Sequence, residues 1–360
     1  MTKRVRLLVG TKKGAFILES DEARREWSVN GPMCEGWPVH DLIVEPGSGA
    51  ILAAAGNAWY GPAVWRSEDS GATWTHSSAG LSYGEEAEPI KTIWSLSATP
   101  DGGLLAGVEP AGLFRSDDRG ATWQHVEGLT NHPTRPTWGP GAGGLILHTI
   151  IPHPTDTDRT WVGISAVGVF ETRDGGASWE ARNVGVRASS NPTDPFPETG
   201  QCVHKFAMAA GEPETLYQRN HNGVYRSDDG SETWQEITGS LSTDFGFAMA
   251  AHPRDPATCW LIPLSTPEEG RFMPDGHTAV WRTNDRGASW ICSDAGLPTK
   301  DAYMSVLREA MASDTLHPVG ITFGTATGQV WHSSDEGVSW RMITDTLPEI
   351  WAVEAAVIDG

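Results

Sequence analysis

Residues 116–123 read SDDRGATW, and the phrase returns as SEDSGATW (67–74), TRDGGASW (172–179), SDDGSETW (227–234), TNDRGASW (283–290) and SSDEGVSW (333–340). All six fit one grammar: Ser or Thr, then Asp two residues on, Gly or Ser two further, then Thr or Ser followed by Trp. Trp74, Trp123, Trp179, Trp234, Trp290 and Trp340 are spaced by 49, 56, 55, 56 and 50 residues. A worn copy without the glycine, ESDEARREW, ends at Trp27, 47 residues before Trp74. Seven units of about 51 residues fill the chain, as expected of repeats that bury a core only by stacking on neighbours.

Each period carries three apolar or alternating runs before its box and one after it, which predicts four short strands per unit. The predicted first strands are HDLIVEP (40–46), IWSLSATP (93–100), LHTIIPHP (147–154), VHKFAMAA (203–210), GFAMAAHP (246–253), YMSVLREA (303–310) and IWAVEAAV (350–357). The chain thus opens on a second strand and ends on an extra first strand. Residues 350–357 are therefore expected to complete the sheet begun at Arg4, leaving no open edge. The fold predicted is all-β, a single seven-bladed β-propeller. Its blades lie near 1–31 with 349–360, then 32–81, 82–130, 131–186, 187–241, 242–298 and 299–348.

The 360 residues carry 26 Lys and Arg against 46 Asp and Glu, a formal charge of −20. The phosphate-neutralising surface of a nucleic-acid binder is missing, so no nucleic acid and no anionic membrane is expected as a partner. Cys34, Cys202, Cys259 and Cys292 form no C-x-x-C pair, and only Leu7, Leu8 and Val9 make an apolar run near the start. Free thiols in a reducing, cytoplasmic setting are the expectation. No P-loop or dinucleotide fingerprint is present, so no nucleotide cofactor is expected.

The six boxes resemble the Asp-box, or BNR, repeat of sialidases, sortilin-type receptors, a photosystem assembly factor and some xyloglucanases. The resemblance places each box on the hairpin between third and fourth strands. Its aspartate is expected to accept backbone N–H groups, its glycine to take a left-handed turn, and its tryptophan to pack between blades. The fourth box departs from the pattern at Ser231, where the expected turn differs. With PGAGGLILHTI, GQCVHKFAM and YQRNHNGVYRSDD, the chain also resembles an uncharacterised bacterial subgroup often labelled exo-sialidase or glycosyl hydrolase-like. Fold analogy does not establish that activity.

Long connections such as 80–94, 128–148, 186–204 and 265–279 fall on the face opposite the boxes, and loops of that length are usually functional. Counting along the strands brings His40, Trp94, His148, His204, Phe247 and Tyr303 to the starts of first strands. Trp59, Glu109, Asn220 and His221 lie between second and third strands, with Asp244 and Asp301 close by. Histidine with a carboxylate is the donor set of a metal site, so His40, His148, His204 and His221 are the candidate ligands of a divalent zinc, iron or copper ion. In the metal-free reading, Glu109, Asp244 and Tyr303 are the candidate catalytic groups, for hydrolase or lyase chemistry. Trp59, Trp94, Asn220, Phe247 and Asp301 then hold a small polar or carbohydrate-like ligand. The third reading is non-catalytic: the histidines bond loop carbonyls and the face docks a protein partner. A sialidase would bring three arginines to its substrate carboxylate, and no such triad maps onto the scattered Arg135, Arg187, Arg219 and Arg271. Other glycosidases need only two carboxylates at a suitable separation.

Overall fold

The structure is a computed structural model that describes residues 3–57, 59–188 and 194–359. Part of the long 186–204 connection, residues 189–193, lies outside the described residues. The strands form seven four-stranded antiparallel sheets. Six of them run in simple sequence order; Val39–Val44, Ile51–Asn57, Gly61–Ser67 and Thr75–Ser77 make up the second. The first is different: Ile350–Asp359 pairs with Lys3–Thr11, which pairs with Gly14–Asp21 and then Ser28–Met33. The fold is an all-β seven-bladed propeller, and the first blade is completed by the last strand as the offset predicts. Val5 faces Val357 and Val9 faces Val353 across that junction.

The chain divides into two compact units. One is Gly36–Val203 with Ser231–Trp234; the other is Met1–Glu35, His204–Gly230 and Gln235–Gly360. In the first, Leu52, Ile93, Phe114 and Trp123 share one core cluster, and Leu113, Leu147, Phe170 and Trp179 another. In the second, Leu7, Leu18, Trp260, Phe323, Trp340 and Val353 share a core. Burying one such large apolar side chain is worth roughly 1.5–3 kcal/mol.

The boxes are self-satisfied turns. Asp118 accepts the Thr122 N–H at 2.8 Å, the Thr122 hydroxyl at 2.6 Å and the Ser116 hydroxyl at 2.8 Å. Asp69, Asp174, Asp285 and Asp335 repeat the pattern. Two consecutive residues in each box take left-handed φ, not the glycine alone: Arg119 has +62° before Gly120 at +87°, and Glu336 has +62° before Gly337 at +86°. Ser231 adopts the glycine's conformation at φ +76°, and its hydroxyl accepts the Trp161 indole N–H at 3.0 Å. That buried bond is the reason a serine serves there. Two box tryptophans bridge blades, the Trp234 and Trp290 indoles donating to the carbonyls of Arg182 and Ile237 in the preceding blade, whereas those of Trp74 and Trp179 donate to Gly71 and Gly176 in their own boxes.

The seventh blade corrects one expected strand. Its first strand is Met311–Ser313, not 303–310. Gly324 N–H donates to Ala310, but Ala326 N–H donates to Ser305, so five residues on one side span two on the other. The surplus forms a bulge containing Leu307, Arg308 and Glu309, and Val353 N–H donates to the Glu309 carbonyl. Bulges re-aim side chains, and this one carries an arginine and a carboxylate.

Candidate functional site

In the unit that begins at Gly36, the hairpin after Ile51–Asn57 is held by a side chain. Asn57 Oδ1 accepts the N–H groups of Trp59 and Tyr60 at 2.8 and 3.0 Å, fixing the turn that lifts both rings. Trp59 is 91% exposed and Tyr60 57%. Tyr60 stacks on Trp37 with centroids 4.7 Å apart and planes at 21°, and Trp37 meets Trp65 edge-on at 5.5 Å. An aromatic surface left in water this way is a typical binding platform.

A second group in this unit centres on Glu109, at the end of Leu104–Glu109. Its Oε2 accepts the Trp94 indole N–H at 3.3 Å, and Lys91 Nζ lies 3.6 Å from Oε1. A Cβ on Gly144 would sit 2.6 Å from Oε1, so glycine permits the close approach of that loop. The His40 ring packs on Trp94 at 4.3 Å, and burial pushes its imidazole down to about 3, so it is neutral at physiological pH. Asp41 is occupied by the N–H groups of Leu42 and Leu96. His148 is fully buried with both ring nitrogens in use, Nδ1 with the Thr149 hydroxyl at 2.9 Å and Nε2 with the Val203 carbonyl at 3.0 Å. In this arrangement its ring serves the fold and offers no lone pair to a metal.

In the other unit His204 and His221 meet edge-on at 5.5 Å, within an aromatic group formed with Phe245 and Phe247. His204 Nδ1 bonds the Gly246 carbonyl at 2.7 Å. Burial first, then Arg308, holds His204 well below the usual imidazole range; burial and Arg271 lower His221. Cys202, two residues earlier in the chain, adds a thiol to the ligand types around His204 in sequence, one that the histidine reading did not include. Asn220, expected to face a ligand, is fully buried and donates to Gln218 Oε1 at 3.2 Å. Asp244 is exposed beside Phe245. Tyr303 is 63% exposed, edge-on to Phe272 at 5.4 Å, and Asp301 is exposed with Lys300 at 3.9 Å. No carboxylate contact to Tyr303 occurs among the described residues.

Sequence reading missed Trp37, Lys91 and a carboxylate pair in this second unit. Glu309, on the bulge, meets Lys205; Glu354 feels both, and burial pushes its carboxyl up to about 7. A cavity of about 660 Å³ lies elsewhere, beside the 172–179 box, lined by His125, His132 and Asp174. Those side chains bond their own neighbours Thr130, Thr134 and Ser178, which makes it a structural recess.

No family model matches the chain. A xyloglucanase of Paenibacillus sp is 24% identical over 255 residues, which cover 60% of this chain and 23% of that protein. The GH74 xyloglucanase from Xanthomonas campestris matches with TM-score 0.59 and 18% identity, over 97% of this chain and 52% of that one. YCF48 from Cyanidioschyzon merolae matches with TM-score 0.56 and 14% identity over 88% of each chain; YCF48 bound to D1 peptide matches at 0.53 and 13%, over 85% and 82%. The likeness is one of fold. The chain spans about a quarter of the curated relative and about half of the Xanthomonas enzyme, so neither whole protein's activity transfers with it.

Proposed function

We propose that the chain binds a neutral glucan of the xyloglucan class along Trp37, Tyr60 and Trp59. The observation that carries this reading is the 91% exposure of Trp59 on a turn clamped by Asn57, beside a Tyr60 already stacked on Trp37. Sugar rings present apolar C–H faces that stack on such surfaces, and a pre-ordered platform loses little entropy on binding. The xyloglucanase likeness supports the choice of polymer. Glycoside hydrolysis is the companion reading, supported by Glu109, whose carboxylate a lysine and an indole N–H hold in place; a second carboxylate has to act with it.

The test is calorimetric binding of a xyloglucan oligosaccharide together with reducing-end release. Trp59→Ala with Tyr60→Ala should weaken binding at least about tenfold, with a melting temperature lowered only by the loss of the Tyr60–Trp37 stack. Glu109→Gln should keep binding and abolish release. A wild-type chain that ignores neutral glucans, or a double variant that binds like wild type, overturns the reading. In that case a protein or peptide occupant takes precedence, supported by the likeness to peptide-bound YCF48 over most of both chains. The metal reading rests on His204 with His221, supported by their ring contact and by the thiol two residues before His204 in the chain. Near-stoichiometric zinc, iron or copper that disappears in His221→Ala would uphold it.

A further inference from the structure

The bulge of the seventh blade sets a carboxylate against the closing strand. Glu309 forms a parallel bridge with Ala352, and its carbonyl accepts the Val353 N–H at 2.8 Å. Side chains alternate along a strand, so Glu354 shares a face of Ile350–Asp359 with Ala352 and Ala356, and these small neighbours leave room beside its carboxyl. From Val203–Met208, Lys205 donates to Glu309 Oε2. The Glu309 side chain is only 7% exposed, yet its Oε1 has no hydrogen-bond partner among the described residues. Burying a carboxylate oxygen without a donor is costly, and buried polar atoms are almost always paired.

Glu354 is equally short of donors. Among the described residues no hydrogen bond reaches its carboxyl, and the charges acting on it are those of Lys205 and Glu309. Arg308, the other ion of the bulge, lies instead over the Phe247 ring at 5.7 Å. Two carboxylates therefore share one ammonium, and the group lacks one positive charge. Burial, with Glu309 adding to it and Lys205 opposing, pushes the Glu354 carboxyl up to about 7, a strain that a second cation would relieve. Glu354 and Lys205 both keep part of their surface in solvent, 20% for the lysine side chain, so a small solute can reach them.

We propose that Glu309 and Glu354 bind the primary ammonium group of a small amine. Such a group carries one positive charge and three N–H donors, and the acceptors without a donor are Glu309 Oε1 and the two oxygens of Glu354. Hydrogen bonds between ions are the strong ones, and all three would form where water is largely excluded. A divalent cation would leave the group positive beside the Lys205 ammonium, and a quaternary ammonium has no N–H to give. The site goes beyond the glucan reading: Lys205, Glu309 and Glu354 lie in the other unit and outside the aromatic platform, so either proposal can fail without the other.

Ligand-observed NMR of methylammonium at pH 8 tests the proposal. Methylammonium should bind saturably, and Glu309→Gln or Glu354→Gln should each raise its Kd at least about tenfold. Lys205→Met removes the competing ammonium and should lower that Kd by a similar factor of about ten, which a merely structural cluster would not do. If this variant fails to fold, the two glutamine variants decide. Tetramethylammonium should give the same signal with wild type and Glu354→Gln, and calcium chloride should displace methylammonium no better than sodium chloride of equal ionic strength. Tighter binding of glucosamine than of methylammonium would assign the ammonium to an amino sugar, and equal binding to a simple alkylamine. Absent or unsaturable methylammonium binding, a Kd unchanged in Glu354→Gln, or specific displacement by calcium overturns the proposal.

Discussion

Glu354 shows what one side chain contributes and what its letter conceals. Alternation along Ile350–Asp359 gave no reason to single it out, since it sits among alanines and valines. Its importance comes from Lys205 and Glu309, which are 149 and 45 positions away and reach it only through folding and the bulge. Burial raises its carboxyl to about 7, above the usual carboxylate value near 4.3. The native state therefore holds a proton that the unfolded chain has released. The associated stability is complete below about pH 4 and is lost as pH rises through about 7. Glu354→Gln, neutral at every pH, should match wild type in urea unfolding below about pH 4, exceed it by about 1 kcal/mol at pH 5 and by about 3 kcal/mol at pH 8. Equal midpoints at pH 8 would show that Glu354 ionises there as freely as in the unfolded chain.

At the level of the element, the boxes were the most legible part of the chain because each contains its own bonding partners within eight residues. Asp69 needs only Ser67 and Thr73, all inside one hairpin, so composition and spacing predict the turn. Single-residue left-handed positions were less legible: arginine at 119 and 286 and glutamate at 336 adopt φ near +62°, which their side chains do not advertise. The 303–310 segment was misread for a related reason. Its apolar pattern suits a strand, but tertiary bonds from Ala326 and Val353 pull it into a bulge, and periodicity does not encode such bonds. The box aspartates also carry a pH signature. Hydrogen bonds from Thr73 and Thr122 hold Asp69 and Asp118 down to about 2, and Asp174, Asp285 and Asp335 are lowered as well. Their stabilisation is present above the unfolded value near 3.9 and disappears as pH falls through about 2. Melting temperature should fall steeply between about pH 4 and 2. Asp69→Asn with Asp118→Asn should lower it at pH 7 and flatten that acid limb, whereas a parallel shift at all pH values would place the acid sensitivity elsewhere.

For the whole molecule, repeat count and strand offset disclosed the architecture, but the candidate sites were legible only in part. Counting along strands named His204, His221, Trp59 and Glu109 but not the side chains that surround them, while His148 has both ring nitrogens in internal bonds and Asn220 is buried with its amide N–H on Gln218. Partner choice depends on distances between repeats, and a one-dimensional pattern carries none. What it does carry is closure. Ile350–Asp359 runs antiparallel to Lys3–Thr11 from Asp359↔Lys3 to Ile350↔Thr11, and Ile350, Ala352 and Val353 are buried by it. Each of the larger two is worth roughly 1.5–3 kcal/mol, and losing the strand would also leave an unpaired edge along Leu7, Leu8 and Val9. A chain truncated after Glu349 should therefore associate through that edge and melt well below wild type, and a synthetic 350–360 peptide should restore a monodisperse species by pairing in trans. Light scattering with thermal melts reads both effects. A truncated chain that stays monodisperse and melts like wild type would mean the first blade holds without its fourth strand, and that the ends contribute little to the ring.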